Sequence, residues 1–194
     1  MMIGRNSLAA ATLIAGIAAL AACNAPPASP PSTGTPAAAT RPQSQVQGDL
    51  RQVMRGILFP NSNVVFLAQG TDPASVPKDA DGTTSVNPLA SVYGGWEAIE
   101  NSSIALAEAA NLLTIPGRMC ANGKPVPVQN ADWQRFVQGL RDAGMASYKA
   151  AQTKDMDKML DAADTLTNAC SECHDVYREK TEQRGGDAAR CTAQ

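Results

Sequence analysis

The 194-residue sequence is poor in aromatic residues (4%) and has a single histidine. One histidine excludes a two-histidine metal site, or a histidine proton relay, built from this chain alone. There is no basic excess: 16 Lys and Arg stand against 18 Asp and Glu, for a net charge of -2. A chain without a cationic surplus has no electrostatic footprint for phosphates, so nucleic acid is not an expected partner. After the first two dozen residues no run is apolar for long enough to span a bilayer, so no transmembrane helix is expected. A sustained period-two alternation is also missing and β-branched residues are sparse, which argues against sheet.

What the sequence does have is five cysteines, a high count for a reduced cytosolic chain of this length. The N-terminus supplies a compartment for them. Arg5 is the only charge in the first forty residues, and an apolar run follows from Leu8 to Ala22. A basic start, a short apolar stretch and small residues are the pattern of a secretory signal. The run ends in Leu20-Ala21-Ala22-Cys23, which resembles the bacterial lipoprotein processing box. The resemblance implies cleavage before Cys23, a diacylglycerol on its sulfur, and a periplasmic protein anchored to a membrane by lipid; the competing reading is an ordinary signal peptide with a cysteine at the cut. Residues 1–22 are then a signal peptide. Residues 23–45, rich in Pro, Ala, Ser and Thr, have little to bury and read as an extended tether.

From about Val46 the apolar period becomes helical. A first stripe runs through Leu50, Val53, Met54, Ile57, Leu58, Asn61, Val64, Val65 and Ala68. Pro60 lies inside it and should kink the helix or restart it, with Ser62 or Asn63 as possible caps. Asn87-Pro88 reads as the cap and first residue of a second helix, with Trp96, Ile99, Ser103, Leu106, Ala110 and Leu113 on its inner face up to Pro116-Gly117. Asn130 or Asp132 can cap a third helix, carrying Trp133, Phe136, Val137, Leu140, Gly144, Ser147 and Ala151. After a break at Lys154-Asp155 comes a fourth, with Met159, Leu160, Ala163, Leu166, Thr167, Cys170, Cys173, His174 and Tyr177, expected to end before Gly185-Gly186. The fold class is therefore all-α, and burying four stripes together makes a four-helix bundle over 46–183, with a tail over 184–194. Many stripe positions are Ala, Ser or Gly, so either the helices pack closely or a prosthetic group supplies volume that the few aromatics do not.

Cys170-Ser171-Glu172-Cys173-His174 has the spacing of a c-type haem attachment site. Two thiols three apart on a helix can bond to one edge of a porphyrin, and the next residue places an imidazole on the iron. A structural zinc site would lack a fourth ligand, and adjacent Cys and His bend poorly around one tetrahedral ion. A redox-active Cys-x-x-Cys normally opens a helix in a βαβ setting that is absent here.

Four helices with this motif on the last, followed by Asp175-Val176-Tyr177-Arg178, resemble the class II c-type cytochromes: the high-spin cytochromes c prime and their low-spin relatives. The resemblance covers roughly residues 46–183 and is most specific from Cys170 to Arg178. It implies an up-down-up-down bundle holding one covalent haem c, thioether bonds at Cys170 and Cys173, and His174 as the proximal ligand of the iron. A basic residue at Arg178 could meet a haem propionate or remain a solvated helix-end cation, and Arg51 has the same two readings. In the implied topology the start of helix one and the end of helix four share one end. Met54 lies about 12 Å into helix one and His174 about 13–16 Å before the end of helix four, so the two sit at similar depth. Low-spin members of the family place a methionine opposite the histidine, so Met54 is either the sixth ligand or a core methionine. Met119, Met145, Met156 and Met159 are placed less well. The same topology brings Cys120, in the loop after helix two, to the end where the chain leaves helix four, which makes a Cys120–Cys191 disulfide the expectation for the two remaining cysteines. This pairing is not part of the usual class II pattern.

The expected function is membrane-tethered electron transport with redox protein partners rather than enzymatic catalysis. The alternative is a five-coordinate haem protein that binds nitric oxide or carbon monoxide. Class II members pair through their first two helices, so a homodimer is possible, although Pro60 and the long loop after it depart from that pattern.

Overall fold

The computed structural model describes residues 44–178 together with Cys191. Cys23, the signal segment and all of the tail except Cys191 lie outside the described residues. The fold is all-α and bundle-like. Its four helices are α1 (residues 50–67), α2 (Trp96–Ala109, extended by a 3-10 turn Ala110–Thr114), α3 (Ala131–Thr153) and α4 (Met156–Tyr177). No strand occurs among the described residues; an isolated bridge joins Met119 to Pro125. No described helix is long and apolar enough to cross a membrane.

A capping box starts α1: the Asp49 carboxylate accepts from the Gln52 N–H at 2.7 Å, and the Gln52 side chain accepts from the Asp49 N–H at 2.9 Å. These bonds satisfy donors that a helix start otherwise leaves open. The helix then passes through a π turn, Met54–Leu58, and resumes as α-helix over Phe59–Leu67 with Pro60 in its first turn. Pro60 therefore restarts the helix, but neither Ser62 nor Asn63 caps it. Ser62 donates its hydroxyl to the Phe59 carbonyl at 3.0 Å, and Asn61 donates Nδ2 to the Ile57 carbonyl at 2.7 Å.

The second helix starts later than its sequence signal suggests. Asn87 does cap and Pro88 does begin a helical turn, but only the 3-10 turn Pro88–Ala90. The chain then doubles back through Gly94, where a Cβ would collide with the Leu89 carbonyl oxygen, and Gly95, whose φ is 69°. Only glycine tolerates both constraints, so α2 opens at Trp96. The α3–α4 junction is short: Lys154 takes a left-handed conformation (φ 55°), and Asp155 caps α4 through the N–H groups of Asp157 and Lys158. The fourth helix ends at Tyr177, well before Gly185.

The widest contacts in the molecule are those of α3, with α2 on one side and α4 on the other, whereas α1 packs on α2 and meets α4 sparsely. All the inner-face residues expected on α2 and α3 are buried. On α4, Leu160 and Thr167 face out. Trp133 is 1% exposed; its Nε1–H donates to the Leu113 carbonyl at 3.0 Å, and Tyr177 packs edge-on against it with ring centroids 5.0 Å apart. The Tyr177 hydroxyl donates to the Asp132 carboxylate at 2.7 Å. The end of α2, the start of α3 and the end of α4 thus meet, and the Leu50 N–H joins α1 to them through the Met119 carbonyl at 2.8 Å.

Where α2 and α3 cross, a Cβ on Gly144 would lie 2.9 Å from the Ala107 nitrogen and 3.0 Å from the Ser103 carbonyl oxygen. Gly139, about a turn and a half earlier on α3, has open space where its Cβ would be. Replacing helical glycine with alanine is ordinarily stabilising by about 0.5–1 kcal/mol, while forcing a methyl into packed backbone costs about 1–3 kcal/mol. Urea unfolding should therefore show Gly139→Ala stabilised by about 0.5–1 kcal/mol and Gly144→Ala destabilised by about 1–2 kcal/mol.

Candidate functional site

The Cys-x-x-Cys-His motif occupies the last turns of α4. Ser171 and Glu172 point outward, the latter within 3.8 Å of exposed Arg135. Cys170, Cys173 and His174 are half-buried on the inner side, and both thiols are free. Across from them lies the first turn and a half of α1. Two cavities fill the seam. The inner one, about 70 Å³, has an apolar wall that includes Leu58, Leu106, Phe136 and Leu140. The outer one, about 570 Å³, opens between the first turns of α1, the loop after α2 and the end of α4. Met54, Phe59, Cys173 and His174 line both, and Cys170 lines the inner. The outer volume falls within the range of small-molecule and cofactor sites, about 300–1,000 Å³.

Met54 and His174 thus share the same space, although both helix ends differ from those assumed in placing them. With α1 starting at Leu50 and α4 ending at Tyr177, Met54 is about 6 Å into its helix and His174 about 5 Å from the end of its own. The start of α1 recedes by about 6 Å and the end of α4 by about 8–11 Å, and the two residues lie at matching depths. Met119 is an exposed loop residue and Met159 is a fully buried core residue; neither lines either cavity, nor do Met145 and Met156.

The outer mouth is cationic. Arg51 and Arg178 line it, together with Arg55, which the sequence reading did not single out. The available signal was its place one turn after Arg51 on the same face of α1. Cys191 lines the mouth too, joined to Cys120 by a disulfide with a Cα separation of 5.7 Å. A cross-link enclosing 71 residues removes about 4 kcal/mol of unfolded-chain entropy in the loop-closure account. Arg118, by contrast, has no sequence signal. It is only 4% exposed, and its guanidinium donates to the carbonyls of Leu112 at 3.1 Å and Gly48 at 2.6 Å. It thereby fixes the residues just before α1 against the end of α2.

Burial sets the ionisation of the motif. Desolvation raises the Cys170 thiol above its ordinary value. Cys173 is pushed up to about 12, first by desolvation and then by the neighbouring Cys170 and Asp132. His174 is held below its ordinary value by desolvation and then by the Arg178 charge, against a smaller opposite effect of Asp175. The imidazole is therefore neutral near pH 7, with a lone pair for a metal, and neither ring nitrogen has a hydrogen-bond partner among the described residues. Reactive Cys-x-x-Cys pairs need a lowered thiol pKa, and this pair has the reverse. No group of three or more His, Cys, Asp or Glu side chains capable of holding a metal ion occurs among the described residues. Two unpaired neutral thiols on one helix face, a neutral imidazole beside them, a thioether across an apolar cavity and cations at its mouth are a donor set that a covalently held haem could use. In comparisons with known proteins, no protein family, curated protein or solved structure matches the chain.

In the haem-free chain at pH 8, Cys173 should react with iodoacetamide about a thousandfold more slowly than in urea, because its thiolate is scarcer by that factor. Peptide mass spectrometry at timed intervals reads this rate. Cys120 and Cys191 should stay unlabelled until a reductant is added.

Proposed function

We propose that this chain is a monohaem c-type cytochrome of the class II kind: an up-down-up-down bundle, tethered to a bacterial membrane on its periplasmic side, that carries electrons between redox proteins. The observation that carries this reading is that Met54 of α1 and the Cys170-x-x-Cys173-His174 motif of α4 line one cavity. When bound, haem supplies one-electron chemistry between ferrous and ferric iron.

The chain's own groups divide the remaining work. Cys170 and Cys173, both free thiols, would hold the porphyrin to α4 through thioether bonds. His174 offers a neutral imidazole as the proximal ligand, and its low proton affinity keeps that nitrogen open to the metal over the physiological range. Met54 offers its thioether as the sixth ligand; His/Met ligation favours the reduced state and raises the potential. The apolar wall around Leu58, Leu106 and Phe136 excludes water, which disfavours the extra positive charge of the ferric form. Arg51, Arg55 and Arg178 face the propionates at the mouth, where a carboxylate–guanidinium pair is the strongest polar contact available. With Met54 as a ligand the iron would have no open position for a substrate, which favours transfer over catalysis in this reading. The Cys23 lipid and the tether of residues 23–45 belong to the same proposal: they hold the head near a membrane by buried methylene area while it turns toward its partners.

Expression with a c-type maturation system should yield the chain mass plus one haem, and Cys170→Ala with Cys173→Ala should abolish that increment. The ferric protein should be low-spin and the ferrous protein insensitive to carbon monoxide. Met54→Ala should convert it to a high-spin form that binds the gas. A high-spin, gas-binding parent protein would instead favour the five-coordinate reading, in which the chain binds nitric oxide or carbon monoxide.

A further inference from the structure

The turn that carries Met54 is not α-helical. Across Met54–Leu58 the helix is π-form, closed by a bond from the Phe59 N–H to the Met54 carbonyl five residues back. Single π turns within α-helices are uncommon and recur at functional sites. This one changes what α1 presents. Val53 and Leu58, five apart, are both buried, and Met54 and Phe59, also five apart, line the same two cavities. In an uninterrupted α-helix, at 100° per residue, residues five apart lie about 140° from one another, and neither pair would share a face. Beyond the turn the buried positions Leu58, Ser62 and Val65 return to α spacing.

The sequence around the turn contains its cause. The ring of a proline inside a helix collides with the carbonyl four residues back, which for Pro60 is that of Gly56. Widening the preceding turn by one residue moves that carbonyl away. Gly56 makes the segment easy to deform, since glycine is about 1 kcal/mol poorer than alanine in a helix, and beyond its own stretch of helix backbone nothing crowds the place its Cβ would take. Asn61 and Ser62 donate side-chain hydrogen bonds to the Ile57 and Phe59 carbonyls, supporting acceptors in the interrupted ladder.

We propose that Pro60 is a positioning residue for the sixth ligand: by holding Met54–Leu58 as a π turn, it sets the rotation at which Met54 meets the cavity lined by His174. The inference rests on the haem reading above and deepens it. With the later part of α1 anchored by Ser62, Val65 and Ala68, closing the turn to α geometry rotates the part before it by about 100°. Arg55 then takes the direction that Met54 has now, and the thioether leaves the cavity.

The test uses haem-loaded protein and carbon monoxide as the probe. Pro60→Ala should lose low-spin character and gain carbon monoxide affinity by about tenfold or more, because apparent affinity scales with the fraction of molecules whose iron is open. Removing Gly56 in addition to Pro60→Ala restores an α-helix with Met54 and Phe59 four apart, so the low-spin, gas-insensitive spectrum should return. Hydrogen exchange of the same haem-loaded variants reads the turn directly, and Pro60→Ala should change the exchange rates of the amides of residues 57–59 and 61. A Pro60→Ala protein with the parent's spectrum and exchange pattern overturns the proposal, as does a deletion variant that stays high-spin. Met54→Ala, run in parallel, separates the two levels. If the parent already binds carbon monoxide and Met54→Ala changes nothing, the sixth-ligand reading itself has failed, and the role of Pro60 falls with it.

Discussion

The contact on which the architecture depends is the close approach of α3 to α2 at Gly144. With hydrogen in place of a methyl, the α3 backbone settles against the Ser103 carbonyl and the Ala107 amide. Ser103 satisfies its own hydroxyl within its helix, donating to the Ile99 carbonyl at 2.7 Å. Such proximity leaves little room for large side chains between these helices, and the small residues on their facing stripes follow from it. Because α3 also carries Trp133 and Phe136 against Tyr177 of α4, three helices form a closely packed unit. The remaining helix, α1, is held mainly by α2.

This asymmetry produces the cavity. Apolar residues of α1 reach inward but find α4 too far away for side-chain volume to close the seam. The deficit lies at the end where Cys170, Cys173 and His174 are placed. That end is also the most heavily braced part of the described molecule, with the Cys120–Cys191 disulfide, buried Arg118, the Tyr177–Asp132 hydrogen bond and the Asp49 capping box all close to it. A cavity costs stability in proportion to the contacts its lining forgoes, and these braces offset that cost. In the proposed holoprotein the large aromatic cofactor occupies the same gap, which accounts for a core with so few aromatic side chains.

Much of this was legible in residue order. The inner faces of α2 and α3 are those that their three-and-four spacing marks, because a helix with one apolar stripe has one way to bury it. The motif on α4 and its place on the same cavity as Met54 were also legible, the second although both helices end short at that side of the molecule. Less was visible where local signals compete. Asn87-Pro88 is a genuine helix-start signal used for a single 3-10 turn, because Gly94 and Gly95 redirect the chain before a helix can propagate. Leu160 fits an apolar period yet is exposed, since none of the described helices packs on that side of α4. Arg118 gave no warning, because its acceptors are backbone carbonyls, which any sequence has.

By itself, then, the sequence determined the helical class, the two packed stripes of α2 and α3, and a set of reactive side chains whose spacing points to one chemistry, since these depend only on residue type and the 3.6-residue period. Tertiary structure alone decided which helix pair would separate to leave a cavity and that three arginines would ring its mouth. Each of these is a compromise among contacts from different helices, and no local period encodes the distance between two helices that meet only in the folded chain.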